Sequence, residues 1–169
     1  NDIYWLHGQQ SNRFAVYFSF TAPGSLPEYN LMPGSIYHAK LCFYKGVGNL
    51  RALFKECELS GETYVPHFCS NLQEAASRYR ETLQVNPFVE NVPILVENIR
   101  LSIQGKQLYI QDVNDERMPV QMQETTKTDI LAVTGGRPFA AFLLADANCW
   151  EMNTMWYQSK CYIWKNEHN

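Results

Sequence analysis

The groups in this chain that could exchange protons, bind a metal or attack a substrate are few and scattered. The four histidines are His7, His38, His67 and His168, and the five cysteines are Cys42, Cys57, Cys69, Cys149 and Cys161. Catalysis needs such groups within reach of one another. No HExxH, GxSxG or GxxxxGK[ST] pattern occurs. His38 precedes Cys42 by four residues on an expected strand, a thiol–imidazole pair with no third group to orient it. His67-Phe68-Cys69, with Cys57 upstream, offers three potential metal ligands at a spacing looser than that of zinc motifs. Asp112, Asp115 and Glu116 lack the alternation of a calcium loop and read as a solvated turn. The expectation is a non-catalytic chain with no catalytic residues and no metal or cofactor of its own.

Two glycine motifs and one charge pattern suggest binding. Lys45-Gly46-Val47-Gly48 leads into a strand, so it lacks the helix amides that hold phosphate and reads as a turn. Gly135-Gly136-Arg137-Pro138 reads in two ways. It is either an anion nest with Arg137 as counter-charge, or the close of a short helix followed by a strand. From Tyr29 to Lys55 there is no acid, while Lys40, Lys45, Arg51 and Lys55 fall in that stretch, with Tyr44 available for stacking. Lys40, Tyr44, Lys45, Arg51, Lys55 and Arg137 are therefore the candidate binding residues. A solvated hairpin surface is the plainer account of the first five.

Composition narrows the class. A hydrophobic fraction of 46% and a charged fraction of 18% fit a folded globular chain rather than a disordered one. The 14% aromatic share tilts the expectation toward sheet, and an adhesive face would give the same statistic. A net charge of -3 opposes a strongly electrostatic nucleic-acid binder. No apolar run is long enough to span a bilayer as a helix, which predicts no membrane partner. Five cysteines without CxxC suggest reduced thiols and a cytoplasmic setting. At 169 residues the chain fits one domain, or a domain with an appended lobe, and is read as a single domain excised from a longer protein.

The elements that must position these residues follow from periodicity. Phe14–Phe20 alternates as a strand with Phe14, Val16, Phe18 and Phe20 on one side. A loop rich in proline and glycine follows. Residues 36–45 and 50–57 form a hairpin reversing at Gly46-Val47-Gly48-Asn49. One prominent helix is expected over about 70–85, capped by Ser70 with Gln73, its inner face Leu72, Ala75, Ala76, Tyr79 and Leu83. Residues 94–103 and 107–112 make a second hairpin, 114–128 a polar loop with a short strand at 120–122, and 129–134 a short helical turn. Phe139–Ala145 reads as a buried strand and 152–164 as a last strand. The fold class is α+β, built of antiparallel hairpins and meanders.

Several pieces stand in the order found in a known family. They are Phe14-Ala15-Val16-Tyr17-Phe18, Met32-Pro33-Gly34-Ser35, Phe43-Tyr44, Leu50-Arg51-Ala52-Leu53, Asn86-Pro87-Phe88 and Leu131-Ala132-Val133-Thr134-Gly135-Gly136-Arg137-Pro138. Together they resemble the region beyond the zinc finger in bacterial SWIM zinc-finger proteins. The finger itself, CxC followed by CxH, is absent, so no metal ligand carries over and zinc is implied only for the missing part. The aromatic-rich composition and the lack of a reactive cluster lead to the expectation of a non-catalytic accessory domain of such a protein, with a protein partner. The alternative is a nucleic-acid-binding module using hairpin 37–55.

Overall fold

The computed structural model describes residues 2–46, 50–64 and 66–165. It is sheet-rich α+β, with ten strands and two helices among the described residues. Its backbone gathers into two compact units, residues 1–66 and 67–169.

The first unit is a four-stranded sheet in the order β1-β2-β4-β3. Its strands are β1 (Asp2–His7), β2 (Phe14–Ser19), β3 (Ser35–Phe43) and β4 (Leu50–Thr63). The expected hairpin is present, β3 against β4, closed by the Tyr44 amide donating to the Arg51 carbonyl at 2.9 Å. Residues 47–49 of its reversal lie outside the described residues. β1, which carries no clear periodicity, pairs along its whole length with β2.

The loop between β2 and β3 is shaped by two X-Pro-Gly-Ser sequences. Ser25 and Ser35 donate back to Ala22 and Met32, and Gly24 and Gly34 sit at φ +82° and +81°. These are type II turns, whose third residue needs a positive φ that proline's neighbour glycine supplies. The loop lays Tyr29 against Tyr17 and Phe54, ring centroids 6.4 and 5.1 Å apart. It thereby covers the sheet face carrying Ala15, Tyr17, Ser19 and Ala52, all buried. The Phe14, Val16, Phe18 stripe lies on the opposite face.

The second unit is a barrel. β5 (Val92–Gln104), β6 (Gln107–Gln111) and β7 (Arg117–Gln121) run as a meander, and β8 (Phe139–Ala145) pairs with both β5 and β9 (Trp150–Tyr157). A parallel contact of β7 with β9 closes the ring β5-β6-β7-β9-β8, and β10 (Lys160–Ile163) extends it from β9. A long first strand serving two neighbours, a parallel closure of third on fifth, and a helix between third and fourth make this the strand arrangement of an OB barrel. Its interior is filled by Ile94, Val96, Ile99, Ile110, Val120, Leu143 and Met155, with Ile130 added from α2 (Glu124–Thr134).

Two expectations are corrected here. The expected turn at 129–134 is a helix beginning at Glu124, where Gln123 makes no side-chain cap and so leaves no signal. The expected last strand is a hairpin, β9–β10, turned by Gln158 and Ser159 at φ 50° and 63°. Such a two-residue turn normally advertises itself with Asn or Gly.

The helix expected over 70–85 is α1 (Leu72–Val85). Its cap is Asn71 rather than Ser70: the Asn71 side chain accepts from the Glu74 amide at 2.8 Å. The Glu74 carboxylate in turn accepts from the Ser70 amide and hydroxyl at 2.8 and 2.9 Å, which hold it below its ordinary range. Leu72 and Ala75 are buried, and Tyr79 meets Trp150 at 5.9 Å.

Candidate functional site

The candidate site grows from the face of the first sheet opposite the loop between β2 and β3. Antiparallel and parallel register set Trp5 beside Val16 and Val16 beside Arg51, and Arg51 faces Tyr44 across the hairpin. Ile3 and Phe18 form the next row, and His7 and Phe14 the one before. Cys42 and Leu53 pair alongside. Around Arg51 this face is apolar and aromatic; beyond the Cys42–Leu53 pair the same face carries Lys40 opposite Glu56 and His38 opposite Glu58.

Arg51 is held by rings rather than by acids. Its guanidinium carbon lies 4.9 Å from the Phe18 centroid, 5.1 Å from Tyr44 and 5.9 Å from Phe20. Phe18 and Phe20 stand with planes 19° apart. Each such contact contributes about 0.5–1 kcal/mol at an exposed site. Among the described residues no carboxylate pairs with Arg51. Phe20 is 67% exposed, Tyr44 49% and Leu53 40%.

The other sequence candidates disperse. Lys40 is engaged by Glu56 at 3.4 Å, both side chains well exposed. His38 is paired with Glu58 one register step of two residues further along. The acid-free stretch from Tyr29 to Lys55 is thus answered by the acids that follow it, folded back across it. Lys55 is skipped by the register between Glu56 and Phe54, at a bulge, and it and Lys45 are exposed. Hairpin 37–55 does not carry a continuous basic stripe. Arg137 belongs to the second unit. Gly135, in the left-handed region, donates its amide to the Leu131 carbonyl and closes α2, and β8 begins just beyond Pro138. The helix-closing reading of that motif is the one realised.

The chemistry-bearing pairs do not assemble either. His38 and Cys42 lie four residues apart along β3, roughly 13 Å at strand rise, too far for a proton transfer. No group of three His, Cys, Asp or Glu able to hold a metal occurs among the described residues. All five cysteines are free thiols. Burial pushes Cys69 and Cys161 up to about 11, which disfavours the nucleophilic thiolate. A shallow cleft of about 250 Å³ is lined by Asp129, Ala132, Val133, Tyr162, Ile163 and Trp164, with Trp164 Nε1 donating to Asp129 at 2.8 Å.

Asp112 is the largest departure from expectation. It is buried rather than solvated. One carboxylate oxygen accepts from the Leu72 amide at 2.8 Å, the other from Asn114 and Glu116 at 2.9 and 3.0 Å. Its role is to fasten the start of α1 and a tight loop to the barrel.

The barrel offers a second surface that the sequence reading missed. Register places Arg100, Gln111 and Arg117 in one row across β5, β6 and β7, and Ser102, Tyr109 and Pro119 in the next. Because Ile110 and Val120 point inward, these residues share the outer side. None of the six is an acid.

The chain matches no protein-family model, and neither a curated protein nor a solved structure is similar to it. No helix among the described residues is long and apolar enough to cross a membrane.

Proposed function

We propose that this chain is a non-catalytic interaction module, an accessory part of a bacterial SWIM-type protein, that engages a protein partner through the uncovered face of its first sheet. One observation carries the reading: Phe20, Tyr44 and Leu53 are exposed together around Arg51 rather than scattered. Contiguous exposed apolar surface marks an interaction site, and aromatic and arginine side chains are the types that dominate interfaces. The family assignment rests on the motifs quoted above. Affinity capture from the native host, with light scattering on the purified chain, tests the reading. The wild-type chain retains a partner or self-associates, and the pair Phe20→Ser and Tyr44→Ser abolishes it. A monomer capturing nothing, or capture unchanged in the double variant, ends the proposal.

A second reading is supported by the barrel row. Arg100, Tyr109 and Arg117 supply two guanidinia and one stacking ring on the face that OB barrels use for oligonucleotides. This moves the nucleic-acid alternative off hairpin 37–55, where Glu56 and Glu58 oppose it. Anisotropy with a single-stranded oligonucleotide at low salt tests it: binding that falls with salt and is lost in Arg100→Glu supports it, and none at low salt removes it.

A further inference from the structure

We infer that Arg51 is the anchor for a carboxylate on the partner, so that the ligand of this face is a peptide segment carrying one Asp or Glu flanked by apolar side chains. The inference rests on the reading of this face as a protein-binding surface. Three observations carry it.

The first is the state of the guanidinium. The rings of Phe18, Phe20 and Tyr44 surround its guanidinium carbon at 4.9–5.9 Å, while Arg51 itself stays exposed. Contact with aromatic faces leaves the in-plane N–H donors of a guanidinium able to bond, and among the described residues no carboxylate pairs with them. An arginine stacked in this way is pre-oriented, and a planar carboxylate can meet two of its donors at once.

The second is the surroundings. Beside Arg51 stand exposed Phe20, exposed Tyr44 across the hairpin and exposed Leu53 two residues along its own strand. A partner that covers these residues buries Arg51 as well. A buried charge left unpaired costs several kcal/mol, so the cover must bring an anion.

The third is the charge balance, which separates a single carboxylate from a polyanion. Residues 1–66 hold five basic and five acidic side chains, and Lys40 is already answered by Glu56. A nucleic-acid strand would present phosphates to a unit with no net positive charge, which steers nothing. A peptide with one acid among apolar residues matches both the cation and its setting.

Selection of a random twelve-residue peptide library against the whole chain tests this, with the Arg51→Gln chain as the comparator. Enriched peptides are expected to share one Asp or Glu between apolar residues. Changing that acid to its amide weakens binding roughly tenfold or more, the scale of a charge-assisted hydrogen bond. Against Arg51→Gln the acid and amide peptides bind alike. Arg51→Lys recovers little, because a point charge neither stacks nor forks. Enriched peptides lacking an acid, or acid and amide peptides that bind wild type equally, overturn the inference. They leave the interaction face standing if Phe20→Ser and Tyr44→Ser still abolish capture. Absence of any enrichment overturns it as well. Displacement of the peptide by a single-stranded oligonucleotide at equal concentration reassigns Arg51 to phosphate and overturns it too.

Discussion

Residues 1–66 and 67–169 both fold around β-sheet, yet they dispose of their apolar side chains in opposite ways. In the barrel, the strand faces turn inward and Ile94, Val96, Ile99, Ile110, Val120, Leu143 and Met155 are almost wholly removed from water. In the N-terminal sheet, the loop 20–34 covers one face, where Ala15, Tyr17, Leu31 and Ala52 are buried. The other face keeps Phe20, Tyr44 and Leu53 exposed around Arg51. Closure removes edges and consumes both the apolar face and the hydrogen-bonding potential of a sheet. An open sheet covered on one side has an apolar face left over. The lesson is that a closed unit spends its apolar faces on its core, while an open sheet leaves one over, which is where the proposed site lies.

The comparison breaks most visibly at Asp112. Its carboxylate satisfies three backbone amides inside the barrel unit. Asp112→Ala should destabilise that unit by about 3 kcal/mol or more, since buried amides lose a charged acceptor and gain none. Asp112→Asn, keeping one acceptor oxygen, should cost less. Residue-resolved hydrogen exchange measures both, and protection should fall in 72–85 and 100–121 while the N-terminal strands keep theirs. Equal loss in both units would show that the two do not open separately.

Core and face substitutions come next. Ile99→Ala in the barrel should cost about 2–5 kcal/mol, through lost burial and a residual cavity. Leu53→Ala on the uncovered face should cost less than about 1 kcal/mol, because that side chain is 40% exposed. Denaturant midpoints at unchanged slope provide the numbers. A Leu53→Ala as costly as Ile99→Ala would mean that this face is structural.

What was legible in the sequence follows the same division. β8 and the β5–β6 hairpin were readable to within a few residues, because apolar runs bounded by glycine report directly on burial. The hairpin of β3 and β4 was readable too, but its charge was not. Lys40 and Arg51 looked like parts of one basic stretch until antiparallel register brought Glu56 opposite Lys40. Linear charge counting cannot see residues that lie across a strand. Phe18 and Phe20 were placed on one side of a strand, yet nothing local said that this side would be left uncovered. That depended on where Tyr29 folds. Asp112 was misjudged because a carboxylate forty residues from its helix gives no local pattern. The row Arg100, Gln111 and Arg117 required three strands in register before it existed at all.

Alkaline pH offers a gentler probe of the barrel unit's buried thiols. Burial raises Cys69 and Cys161 to about 11, and both lie in the barrel unit. The unfolded chain releases these protons first, near the ordinary thiol value, so it binds fewer protons than the native state between there and about 11. The two thiols thus favour folding below that window, and their contribution is lost as pH climbs through it. Thermal melts from pH 8 to 11 should show barrel stability falling, with a shallower slope in Cys69→Ala. An unchanged slope would remove Cys69 as the cause.

The smallest effect should come from Lys40 and Glu56. Their side chains are 67% and 71% exposed and 3.4 Å apart. Solvent screening and the entropy of two long side chains leave such a pair worth about 0–1 kcal/mol. A double-mutant cycle with Lys40→Ala and Glu56→Ala should give a coupling energy near the low end, falling further at high salt. The informative readout is binding rather than stability. If Lys40 serves only to answer Glu56, removing both leaves the unit neutral and leaves capture through Phe20 and Tyr44 unchanged. A loss of capture on removing Lys40 alone would return the basic hairpin to consideration and shift the boundary of the site along β3.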